Sequence, residues 1–136
     1  MIQQKEIILP QFSRGYHLIT EAILKQLTEL PEHGLLNVFI QHTSAGITIN
    51  ENFDPTVRKD FESFFNKLIP DGSNYFVHDS EGDDDMPAHL KASIIGQSVT
   101  IPITNKKLNL GTWQGIYLCE FRNSGGRRRL VITVYS

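Results

Sequence analysis

The sequence predicts an α+β fold: one compact domain, residues 1–136, with a mixed or antiparallel β-sandwich-like core and about three helices. Three observations carry this prediction. Short stretches of β-branched or alternating apolar residues outnumber the stretches with helical spacing. The two kinds do not interleave regularly, as they would around a parallel sheet. No internal repeat, low-complexity linker or membrane-length apolar run divides the 136 residues, a length at which a single core buries roughly two-thirds of the unfolded surface.

Taken in order, Ile2–Leu9 mixes polar residues with β-branched Ile7 and Ile8 and stops at Pro10, which predicts a strand. Gly15 breaks the chain before Thr20, a candidate N-cap. Ile23, Leu24, Leu27 and Leu30 then form one apolar helical face that Pro31 ends. Leu35–Gln41 is nearly all apolar, as expected of a strand covered on both faces, and it delivers His42 on the side of Val38 and Ile40. Ile47–Glu51 alternates as a second short strand. Asp54-Pro55 reads as a cap followed by a first-turn proline. Val57, Phe61, Phe64, Phe65 and Leu68 behind it line an amphipathic helix whose aromatic face belongs to the core. Asp85-Met86-Pro87 repeats the cap-and-proline start, so Leu90, Ile94 and Ile95 carry a third helix to Gly96. Val99, Ile101 and Ile103 alternate as a strand, with Pro102 marking an edge or an end. Asn105-Lys106-Lys107 turns the chain. Leu108–Leu110, Gln114–Arg122 and Arg129–Tyr135 follow as strands, the last two joined by a hairpin-like Asn123–Gly126.

Charge and cysteine content bound the function. A net charge of −2 argues against a general nucleic-acid or anionic-membrane surface. The single cysteine, Cys119, permits no internal disulfide and reads as a buried thiol among Ile116, Tyr117, Leu118 and Phe121. No apolar segment follows the polar opening residues, so a cytoplasmic protein without a signal peptide is expected.

The residues with chemistry fall in four groups. His42, His78 and His89 stand at the ends of separate elements, the last two within an acidic loop that contains Asp79, Glu81, Asp83, Asp84 and Asp85. Three histidines with an open coordination position suit a divalent metal, zinc first, with nickel and manganese compatible. Asp54 and Asp85 read as helix caps, whereas Glu51 and Asp79 are candidate bases. Gly111-Thr112-Trp113-Gln114-Gly115 presents the only tryptophan between glycines, either as a functional aromatic or as core filling; composition favours core. Arg122 with Gly125-Gly126-Arg127-Arg128-Arg129 could supply an anion site, although alternation forbids all the arginines from pointing one way. His17 and His33 read as surface or turn residues.

Together these residues resemble the YjbQ-like family, also called the secondary thiamine-phosphate synthase family. The resemblance is carried by Gln41–Glu51, by His78 through Asp83-Asp84-Asp85-Met86-Pro87-Ala88-His89, and most specifically by Leu110-Gly111-Thr112-Trp113-Gln114-Gly115-Ile116-Tyr117. It implies a trimer with a pocket in which His42, His78 and His89 bind a metal or anion. It also implies a weak transferase activity that joins a pyrimidine diphosphate to a thiazole phosphate. On that reading Glu51, Asp79, Trp113 and Gln114 are catalytic candidates, and Thr43, Ser44, Asn50, Arg122, Gly125, Gly126 and Arg127 bind a small phosphorylated or anionic metabolite. The rival readings are a metal-dependent hydrolase and a non-enzymatic binding trimer.

Overall fold

Eight strands and three helices make up the chain, described from Met1 to Ser136 in a computed structural model. In order they are β1 (Ile2–Ile8), β2 (Gly15–Leu18), α1 (Thr20–Gln26), β3 (His33–Ile40), β4 (Ala45–Glu51), α2 (Pro55–Leu68), α3 (Asp85–Ile95), β5 (Ser98–Thr104), β6 (Lys107–Leu108), β7 (Gln114–Glu120) and β8 (Arg129–Tyr135). The strands form two sheets, ordered β1-β8-β3-β5-β6 and β2-β7-β4. Every pairing is antiparallel. This is the expected α+β architecture, with the β-sandwich at its centre.

Period-two alternation places the core. Leu36, Val38, Ile40, Leu130, Ile132 and Val134 of the larger sheet face Ala45, Ile47, Ile116 and Leu118 of the smaller one, all buried. A fully buried side chain of this kind contributes about 1.5–3 kcal/mol. The other face of the smaller sheet, carrying Tyr16, Tyr117 and Cys119, is covered by Phe65 of α2 and by Ala88 and Ala92 of α3. At Gly46 a Cβ would come within 2.9 Å of the Gly96 carbonyl oxygen, so the missing side chain lets the end of α3 settle on β4. No helix is long and apolar enough to cross a membrane.

Local signals succeed where they concern one segment. Asp54 accepts from Thr56 N at 2.9 Å and caps α2, and Asn105 and Lys106 adopt positive φ in the two-residue β5–β6 turn. Other expectations are corrected. α1 stops at Gln26, and Thr20 does not cap it; its hydroxyl instead accepts from Ile116 N at 2.9 Å. Gly15 opens a strand, β2, rather than a break. β3 is covered on one face only, leaving Leu35 and Phe39 exposed. On α2 only Phe65 is buried, and Phe64 and Leu68 lie outside. Residues 123–128 are no hairpin: β7 and β8 belong to different sheets, and the turn carries the chain between them. His78 lies in a loop rather than at a strand end.

Candidate functional site

The acidic loop folds back on α3 because Asp85 is the first residue of that helix, not its cap. Its side chain is only 2% exposed and acts as a hub. One oxygen, Oδ2, lies 2.7 Å from His78 Nε2 and 3.4 Å from His89 Nε2, and Oδ1 accepts from Arg122 Nη1 at 2.8 Å. Asp85 and His89 stand one turn apart on α3, so a single helical face presents both. The ligand atoms of His78, Asp85 and His89 lie within 4.8 Å of one another. His89 Nδ1 donates to the Thr43 carbonyl at 3.0 Å, which leaves Nε2 as a bare lone pair aimed at the cluster. A carbonyl that accepts from one ring nitrogen in this way turns the other nitrogen of a histidine toward a metal. Two imidazoles and a carboxylate are a donor set suited to zinc.

Arg122 closes the cluster from behind. Nε donates to Asp84 Oδ2 at 2.9 Å and Nη2 to the Glu81 carbonyl at 2.9 Å, so every nitrogen of the guanidinium is engaged. Burial pushes the Asp85 carboxyl toward a higher pKa, but the His78 hydrogen bond and the Arg122 charge outweigh it and hold the group below the usual range. Asp84 behaves likewise: burial is opposed by Asn123 N–H and Arg122.

His42 sits apart from this trio. Both of its ring nitrogens face donors, Nε2 the Arg129 N–H at 2.8 Å and Nδ1 the Arg128 guanidinium at 3.3 Å, an arrangement that suits a neutral ring. Burial, then the charge of Arg128, lowers its pKa and favours that neutral form. His42 meets His89 only across a shallow hollow of about 310 Å³, which Gln41, Thr43, Ser93 and Gln97 also line. Asp79 borders a second hollow, about 160 Å³, beside His78. The histidine cluster is therefore His78–Asp85–His89, with Asp85 in the place expected for His42.

The arginines and glycines expected to bind an anion have the following partners. Arg128, 4% exposed, pairs with fully buried Glu120 and donates to Ser44 Oγ at 3.0 Å. Gly125 packs on the same carboxylate, where a Cβ would meet Glu120 Oε1. Arg127 donates to the Leu9 carbonyl, and Gly126 is a turn residue with φ of 73°. Arg128 is thus paired within the chain, whereas Arg127 is bonded only through Nε.

Asn50, Glu51, Trp113 and Gln114 lie at the opposite end of the smaller sheet. In the β4–β7 register Ala45 faces Glu120, while Glu51 faces Gln114. At about 3.4 Å per residue these ends are ~20 Å apart, so Glu51 cannot serve the histidines of its own chain as a base. Here the Trp113 loop is clamped by Asn52, whose backbone N–H donates to Trp113 O at 2.8 Å and whose amide donates to Thr112 O and Gln114 O. Gln114 Oε1 accepts from Gly111 N at 2.8 Å. Trp113, expected to fill the core, is 58% exposed and meets Phe53 edge to face at 5.4 Å.

Sequence reading missed the Asp85 hub, the Glu120–Arg128 pair and the buried Lys91, which is 1% exposed and donates to Asn66 Oδ1 at 2.7 Å. The signal for Glu120 was available: an acidic residue within a continuous apolar strand requires a buried cation.

A family model described as UPF0047 protein YjbQ-like matches residues 5–136. The UPF0047 protein YjbQ of Escherichia coli O157:H7 is 50% identical over 136 residues, covering 98% of both chains. The UPF0047 protein YugU of Bacillus subtilis is 43% identical over 90 residues, 65% of this chain and 64% of its own. Among solved structures, a conserved hypothetical protein of Thermus thermophilus superposes with a TM-score of 0.81 at 31% identity, covering 95% of this chain and 97% of its own. An uncharacterised YjbQ/UPF0047 protein of Clostridium acetobutylicum gives 0.78 at 39%, covering 96% and 99%.

Proposed function

This chain belongs to the YjbQ-like UPF0047 family, and we propose that it is a metal-dependent enzyme acting on a small anionic metabolite, with His78, Asp85 and His89 holding the cation. The observation that carries this reading is the convergence of three ligand atoms within 4.8 Å, one of them a histidine nitrogen fixed by the Thr43 carbonyl. A divalent ion bound there supplies Lewis acidity toward a phosphate or other anionic oxygen. The chain's own part is to orient the two imidazoles, to hold Asp85 ionised through Arg122, and to leave the neutral hollow beside His89 open to the metabolite. Transfer of a pyrimidine methylene from diphosphate to a thiazole nitrogen is the reaction proposed for the site. Because Arg122 and Arg128 are already bonded to carboxylates, the cation would answer most of the diphosphate charge. Asp79, beside His78, is the base that a hydrolytic version of the site would use.

A homotrimer is part of the proposal. Its support is the outer face of the larger sheet, where Ile2, Ile8, Leu35, Phe39 and Tyr135 are all at least 43% exposed.

Elemental analysis of untagged protein tests the metal site. Near-stoichiometric metal is expected in the natural protein and in His42→Ala, with loss of metal in folded His78→Ala and His89→Ala. Unchanged metal content in the last two variants overturns the assignment.

A further inference from the structure

The hollow between His42 and His89 has no side chain of fixed charge in its wall. Neutral groups line it, Phe39 and Gln41 from the larger sheet, Ser93 and Gln97 from α3 and the turn after it. Its volume of about 310 Å³ suits a small metabolite. Charge enters at the rim, where β8 begins with Arg129. Both backbone groups of Arg129 are tied to the wall: its N–H donates to His42 Nε2 at 2.8 Å, and its carbonyl accepts from Gln41 N–H at 3.1 Å. Period-two alternation sends Arg128 inward to Glu120 and Arg129 outward, where it is exposed. Phe39 faces Val131 and Ile40 faces Leu130 in the β3–β8 register, so Gln41 lies beside Arg129 and shares its outer face. The charge is felt in the wall: burial and Arg128 lower the His42 pKa most, and Arg129 adds to them.

Nothing in the chain neutralises that guanidinium. Arg14, Arg122 and Arg128 are each held by a carboxylate, whereas Arg58, Arg127 and Arg129 are not. Arg58 lies away from the hollow, on α2 beside Asn50. Arg127 and Arg129 stand two residues apart where the chain enters β8. Arg127 spends Nε on the Leu9 carbonyl, and the Arg129 side chain makes no hydrogen bond. Glu6 of β1, on the same sheet, faces Val131 and forms no ion pair with either. The other acidic groups at this end are committed inside, Glu120 to Arg128 and Asp84 and Asp85 to Arg122.

His89, with the cation ligands, therefore bounds one side of the hollow, and His42, with Arg129 against it, bounds the other. A free guanidinium is a planar fork of donors that matches a carboxylate or a phosphate. We propose that Arg129 is a specificity residue: it takes the second anionic group, phosphate or carboxylate, of a small metabolite whose first anionic group is held at the His78–Asp85–His89 cation. The ligand class is a metabolite with an anionic group at each end and a neutral middle. The first contact rests on the metal reading, and the second rests on Arg129 alone.

The test is calorimetric titration of the full chain, its metal content measured, with three probes of one carbon length. Glycerol phosphate has one anionic group, phosphoglycerate adds a carboxylate, and propanediol bisphosphate adds a phosphate. At least one doubly anionic probe is expected to bind about tenfold tighter than glycerol phosphate, as a charge-assisted guanidinium contact provides. A gain with phosphoglycerate alone identifies a carboxylate as the second group, with the bisphosphate alone a phosphate, and with both a general anion contact. Arg129→Gln should abolish the preference and leave glycerol phosphate binding unchanged. Arg129→Lys should keep part of the preference, and Arg58→Gln all of it. The Arg129 side chain holds no partner, so Arg129→Gln is expected to fold, which a thermal melt checks. Metal content in His78→Ala reports on the cation site and the ratio between probes reports on Arg129, so the two failures are told apart. Equal binding of the three probes by the natural protein, no binding of any, or a preference that survives Arg129→Gln overturns the proposal.

Discussion

Strand β7 has two unlike ends. Around Glu120, where it finishes, charged groups answer one another, Glu120 with Arg128 and Asp84 and Asp85 with Arg122, and the imidazoles of His78 and His89 lie against Asp85. Around Gln114, where it begins, the rings of Phe53 and Trp113 face outward and Arg58 has no carboxylate partner. The first end is stabilised by electrostatics in a partly desolvated setting, where pairing is strong and an unpaired group is costly. The second is stabilised by backbone hydrogen bonds that fix a loop and leave its side chains uncovered. Burial of charge therefore marks where this molecule can least tolerate change, and exposure of rigid aromatics marks where change should alter binding rather than folding.

The contrast is broken most severely at Glu120. Glu120→Ala leaves Arg128 buried without its carboxylate and should cost about 3–5 kcal/mol in denaturant unfolding. A loss below 1 kcal/mol would show that Arg128 finds solvent or Ser44 sufficient.

Lys91 sharpens the same point with the opposite sign. It lies behind the histidine end, in a chain of hydrogen bonds through Asn66, Arg14 and Asn123 to Asp84. Burial, then the charge of Arg14, lowers its pKa below the ordinary 10.5. A lysine in that condition binds its proton less tightly folded than unfolded. The protein should therefore gain stability as pH rises from the lowered folded value toward 10.5. Lys91→Met removes this dependence, and Asn66 keeps Arg14 as a donor at 3.0 Å. We expect it to be as stable as the natural protein or more so by about 1 kcal/mol at pH 7. The gain should shrink at pH 10, read from melts at both pH values.

The smallest effect belongs to the other end. Trp113→Ala should change stability by no more than about 0.5 kcal/mol, as for exposed positions in general. Any loss of ligand binding would then not be an effect of folding. A drop of 2 kcal/mol or more in its unfolding free energy would mean that this ring is structural.

Much of the fold was legible in the sequence because its signals are local. The Asp54-Pro55 cap and the apolar spacing behind it specify α2 whatever surrounds it, and alternation in Ser98–Thr104 and Arg129–Tyr135 specifies which side chains face inward. Cys119 reads as buried for the same reason. The histidine pair in its acidic loop was visible as a cluster, since His78, Asp85 and His89 lie within twelve residues.

The tertiary structure decided the rest. Alternation fixes the face of a strand but not its neighbour, so nothing local said that β7 and β8 enter different sheets or that residues 123–128 cross between them. That crossing sends Arg128 to Glu120 and Arg122 to Asp84 and Asp85, so both guanidinium groups are paired within the chain. It likewise ties His42 to the start of β8 and puts Asp85 in the cluster instead. The separation of Glu51 and Trp113 from the histidines follows from the length and register of β4 against β7. The sequence by itself determined elements, faces and the acidic loop with its two histidines, because those depend on neighbours a few residues away. Which charges meet, and which are left without partners, was decided by strand order, because a charge is paired through space and not along the chain.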